Sequence, residues 1–169
     1  FNWAQAQLDI LKASTSKLIS NDAIDLSLLI TDNFNMDTLT APMEMFARAD
    51  LLRYRNQLDA SLATLDSLTL AYPGHTLEDE VLLIQAEIAV QRGAFDEAIG
   101  HFGEIVEFYA MDILADDALF GLAELHEVQL SDPDAAQNLY ERLLNEYPGS
   151  LYVVEARKRF RRLRGDVLE

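Results

Sequence analysis

The sequence predicts an all-α fold of antiparallel helix pairs, and three observations carry that expectation. Every periodic segment spaces its apolar residues as a helix does. Helix breakers are scarce, with 7 Gly and 4 Pro among 169 residues, while Ala, Leu, Glu, Asp and Gln dominate. Small residues return at a fixed interval of 37, at Ala49, Ala86 and Ala123. Such self-similarity marks a repeat array.

Residues 1–17 form a first helical segment, with Ala4, Leu8 and Leu11 on one face. The stretch 18–41 is irregular: Asn21–Asn33 has helical spacing through Ile24, Leu28 and Ile30, and Asn33–Thr40 reads as a loop. Three units follow, near 42–75, 79–111 and 116–149, each a helix, a short turn and a helix. Met45, Leu82 and Leu119 lie four residues before the alanines, on the same helical face. Ser61 and Ala98 come 12 residues after theirs and Ala136 comes 13 after, so the third unit has one residue more, placed near Ser131-Asp132-Pro133. Next come Leu65, Phe102 and Tyr140, then Leu68, Ile105 and Leu143. The small residues let paired helices approach closely, and the large ones fill the space between units. Turn chemistry agrees. Gly93 stands just past a helix end, Asp132 and Pro133 open the next helix with a cap and a Pro, and Pro73 and Pro148 close second helices. Ala110 takes the Pro position in the middle unit. Residues 151–164, with Tyr152 and Ala156, read as the first helix of a further unit.

Charge narrows the function. The net charge is −16, and residues 151–169 carry six basic and three acidic groups, leaving −19 on the first 150. An acidic body repels phosphate backbones, which argues against nucleic-acid partners. The basic segment suits an end-to-end contact with a further repeat or a neighbouring molecule, or is a solvated helix face. The absence of cysteine excludes disulfides and thiolate metal sites. No 18-residue apolar run is present, so no membrane insertion is expected. The opening Phe1-Asn2-Trp3 lacks Met and no signal peptide is visible, which reads as a fragment of a longer protein.

Small residue, Gly, aromatic, Ala, aromatic and Pro at these spacings resemble the tetratricopeptide repeat. The clearest copy runs Leu82, Ala86, Gly93, Phe95, Ala98, Phe102. The interval of 37 residues departs from the family's usual period of about 34, and Ala110 departs from its Pro. The resemblance covers most of the chain, with half-repeats at 1–17 and 151–164. It implies one right-handed superhelical solenoid over 1–169, of about eight or nine helices, serving as a protein–protein interaction scaffold. The alternative is a structural subunit that self-associates through its repeat ends. Part of the last unit, Asn138 to Arg142 and Tyr147 to Ser150, is similar to tetratricopeptide proteins of the bacterial cell envelope. That likeness puts periplasm or envelope ahead of cytoplasm.

In this family, first helices line a concave groove that holds a peptide or a partner helix. Carried over by position, one row is Asp50, Glu87 and Glu124, and an apolar row beside it is Phe46, Leu83 and Phe120. A third is Met43, Glu80 and Asp117, flanked by Arg53, Val90 and Glu127. Such a surface would accept a basic, apolar segment. The competing reading makes the acids a solvated face and Phe46 and Phe120 core. All six side chains of the first two rows are expected to be at least partly exposed.

Catalytic and metal signals are weak. His75, His101 and His126 keep no repeated spacing to carboxylates, and no H-E-x-x-H, phosphate loop or G-x-S-x-G occurs. No enzyme activity, cofactor or metal is expected. Asn33, Asn35, Asp37 and Glu44 fall at calcium-loop places, but Asn33 replaces Asp, Thr38 replaces Gly and Pro42 intrudes. A polar loop capping the Pro42 helix through Thr40 is the better reading.

Overall fold

The computed structural model describes residues 1–13, 17–34 and 39–166. Among them are nine α-helices: α1 (Asn2–Leu11), α2 (Lys17–Phe34), α3 (Ala41–Tyr54), α4 (Leu58–Ala71), α5 (Glu78–Arg92), α6 (Phe95–Phe108), α7 (Ala115–Glu124), α8 (Pro133–Glu146) and α9 (Val153–Leu163). A π-helical turn, Leu125–Gln129, extends α7. The chain divides into two compact units, Phe1–Glu78 and Asp79–Glu169.

In the first unit α1 packs on α2 and α3 on α4. The segment 18–41 thus holds all but the first residue of α2, and that helix is paired with α1. Asn33 lies on this helix and its side-chain amide donates to the Leu29 carbonyl, while Asn35 and Asp37 of the calcium template lie outside the described residues. Pro42 occupies the first turn of α3, where its missing N–H costs nothing. Thr40 is the N-cap residue, but its side chain makes no capping bond. The buried residues of α3 are Pro42, Met43, Phe46 and Ala49, spaced as one helical stripe. Across from it, the Ser61 hydroxyl of α4 donates to the Ala49 carbonyl at 2.8 Å. Only small side chains permit that approach.

In the second unit α6 packs on α7, α7 on α8 and α8 on α9. One hydrophobic core draws Ala86 and Ala89 from α5, Phe102 and Ile105 from α6, Leu119 and Ala123 from α7, Tyr140 and Leu143 from α8, and Ala156 from α9. Each large apolar side chain so buried contributes about 1.5–3 kcal/mol. Gly121 of α7 is part of this fit: a Cβ there would stand 2.8 Å from the tip of the Phe102 ring. The Asp132 carboxylate caps α8 by accepting from the Ala135 N–H at 3.1 Å, with Pro133 in the first turn. The Tyr147 hydroxyl, just past α8, donates to the Ala110 carbonyl at 3.0 Å, so the residue standing in the Pro position anchors the next turn.

The turns α3–α4, α5–α6 and α7–α8 each pass through one left-handed residue: Asn56 (φ 58°), Gly93 (φ 74°) and Ser131 (φ 54°). These lie seven, seven and eight residues after Ala49, Ala86 and Ala123. The extra residue of the third unit therefore lies before Ser131, not in Ser131-Asp132-Pro133. It is absorbed in the π-turn Leu125–Gln129, where each hydrogen-bonded ring holds one more residue.

Candidate binding groove

The second unit carries a concavity of about 520 Å3 lined by side chains of alternate helices. Leu83, Glu87 and Val90 come from α5, and Asp117, Phe120, Gly121 and Glu124 from α7. The π-turn adds Leu125, Val128 and Gln129, Phe102 of α6 contributes from below, and Tyr152 stands just before α9. Six of the twelve residues expected from sequence thus line one groove: Leu83, Glu87, Val90, Asp117, Phe120 and Glu124.

The other six are placed differently. Met43 and Phe46 are buried on the α3 stripe, so Phe46 lacks the exposure expected of it: four residues from Pro42 and three from Ala49, it shares their inward face. Asp50 and Arg53 are partly exposed on α3 and paired with each other at 2.9 Å. Glu80 is buried near the start of α5 beside buried Asp79. Burial pushes the Asp79 carboxyl above its ordinary range and nearby Asp112 adds to this, against a lowering hydrogen bond with Glu80. Glu127 lies in the π-turn with its side chain only 9% exposed.

Glu127 belongs to a polar cluster that sequence reasoning missed. The Tyr140 hydroxyl donates to its carboxylate at 2.8 Å, Arg159 of α9 donates at 3.1 Å, and Arg162 also pairs with it. Arg159 further reaches Glu124 at 2.9 Å and Glu155 at 3.0 Å. Its guanidinium stands over the Phe120 ring, 5.5 Å from the centroid. Phe120 is stacked on Tyr152, with centroids 4.4 Å apart, and the Tyr152 hydroxyl donates to Asp117 at 2.7 Å. Burial alone would raise the Glu127 carboxyl, but the hydrogen bonds from Tyr140, Arg162 and Arg159 outweigh it and hold it below its ordinary value. Tyr140 moves upward, chiefly through burial and then through its bond to the Glu127 carboxylate. The basic excess of residues 151–164 was the only sequence signal of this cluster. It gave no direction for Arg159, which points inward from a helix whose other basic residues are mostly exposed.

Residues 117–150 match the family model described as Tetratricopeptide repeat. The match runs from Asp117 within α7 through the π-turn and α8 to Ser150, so this helix pair is of the tetratricopeptide-repeat type. No curated protein matches the chain. Repeats of this type are generally non-catalytic modules of protein–protein interaction, so the partners implied are proteins. Among the described residues, no helix is long and apolar enough to cross a membrane.

Proposed function

We propose that the unit Asp79–Glu169 holds a partner protein through a segment bearing Lys or Arg beside apolar side chains, seated in the groove of Leu83, Glu87, Val90, Asp117, Phe120 and Glu124. The observation that supports this reading is Arg159. A guanidinium of the chain itself rests on Phe120 while pairing with Glu124 and Glu127. The same face thus matches an arginine by a cation–π contact and by charge-assisted hydrogen bonds. Leu83, Val90 and Val128 offer apolar surface to the neighbouring side chains of such a segment, and Glu87 supplies a further carboxylate. Buried Met43, Phe46 and Glu80 and half-buried Glu127 act by shaping helices, and Asp50 with Arg53 offers a paired polar surface on α3. The chain works by binding, not by catalysis.

Fluorescence anisotropy with labelled helical peptides tests this. Peptides alternating Arg or Lys with Leu should bind, and peptides of the same pattern with Glu should not. Glu87→Lys should weaken binding about tenfold, mainly by slowing association at low salt. Equal binding of acidic peptides, or indifference to Glu87→Lys, would sink the reading.

A further inference from the structure

Helix α9 turns two chemically distinct faces outward and inward. Inward, Ala156 is fully buried and Arg159 enters the cluster around Glu127. Outward, Leu151 and Val154 are 83% and 78% exposed, and Arg157, Lys158 and Arg161 are exposed as well. Val154, Arg157, Lys158 and Arg161 share the outer side of α9, and Leu151 stands in the turn just before it, so the stripe is apolar at its start and basic beyond. The stripe lies in the basic segment of an otherwise acidic chain, and it has the composition that the groove reading asks of a partner. We infer that the segment seated in the groove is α9 of a second copy of this chain, its Leu151–Arg161 stripe lying against Leu83, Glu87 and Phe120 of the neighbour. This inference rests on the groove reading.

Two consequences follow from the geometry. The donating stripe and the accepting groove are different surfaces, so the contact is heterologous and adds copies head to tail instead of closing a symmetric dimer. A net charge of −16 on every copy opposes association at long range, so the contact belongs to the weak, concentration-dependent kind. The residual attraction is local: Arg157 and Lys158 against Glu87, with Leu151 and Val154 excluding water beside them.

Sedimentation velocity of the 169-residue chain, from micromolar to submillimolar concentration, reads this directly. The average mass should rise with concentration. Arg157→Glu with Lys158→Glu should weaken association about tenfold or more. Arg48→Glu with Arg55→Glu, which changes net charge equally at two exposed α3 positions, should weaken it far less. Mixing the Arg157→Glu/Lys158→Glu chain with a Glu87→Lys chain should restore association between unlike copies. Circular dichroism should show all variants equally helical. A chain that stays monomeric throughout, or a loss no greater for the α9 pair than for the α3 pair, overturns the inference. If the monomeric chain still binds Arg/Leu peptides and Glu87→Lys blocks them, the groove stands and self-docking alone fails. Association indifferent to Glu87→Lys overturns the placing of α9 in the groove.

Discussion

Arg159 meets Glu124, Glu127 and Glu155 at 2.9–3.1 Å while only 18% of its side chain is exposed. It differs in this from an exposed surface pair, whose contribution rarely exceeds about 1 kcal/mol. Arg159→Met should destabilise the second unit by about 1–3 kcal/mol, because Glu127 would then lose one of its donors in a shielded place. Denaturant titration measures this, and pH separates it from packing. The Glu127 carboxyl is held below its ordinary value in the fold. Its contribution is therefore fully present above the unfolded pKa of about 4.3 and is lost as pH falls through the folded value. Glu127→Gln should thus be destabilising at neutral pH, and its gap from the parent chain should narrow as acid protonates Glu127. A gap that stays constant with pH would refute the charge argument. Gly121 makes the complementary point about volume. Gly121→Ala gains helix propensity of about 1 kcal/mol but drives a Cβ into buried Phe102. We expect a net loss of about 1–2 kcal/mol through overpacking, relieved by Phe102→Leu. Stabilisation by Gly121→Ala would show that the ring yields freely.

At the level of elements, the π-turn aims Glu127 at Tyr140, Arg159 and Arg162. Deleting Val128 would return the third unit to the spacing of the second and close the turn into an α-helix. Helical content by circular dichroism should persist, while the acid sensitivity assigned to Glu127 should disappear, since its carboxylate would point elsewhere. The helices themselves were legible in the sequence because small and large residues recur at fixed steps that only helix pairing explains. The π-turn was not. Counting from Ala123 to Ala136 reveals an extra residue but not its address, and only the left-handed Ser131 places it upstream. Phe46 misled for a related reason. Its row was assigned by copying positions between repeats, whereas burial depends on the stripe of its own helix, set by Pro42 and Ala49. Arg159 escaped notice because a basic helix reads as solvated until a specific carboxylate is seen opposite.

On the scale of the whole molecule, the core of the second unit runs from Ala86 to Ala156 and is assembled from its own helices. A polypeptide of residues 79–169 alone should therefore be helical and unfold in a single cooperative transition, followed by thermal circular dichroism. Failure to fold would show that the unit depends on residues before Asp79. The groove on this unit was half legible: six of its lining residues were named from repeat register, because register is what alternate helices share. The left-handed turns carry a different lesson, about growth. Asn56, Gly93 and Ser131 are one backbone geometry in three spellings, and the last is strained by about 1–2 kcal/mol relative to glycine. An array lengthened by duplicating α5–α6 would inherit the relaxed spelling at every added joint. One lengthened by duplicating α7–α8 would accumulate strain with each copy, and would come to depend on replacing its serines before it could be made long.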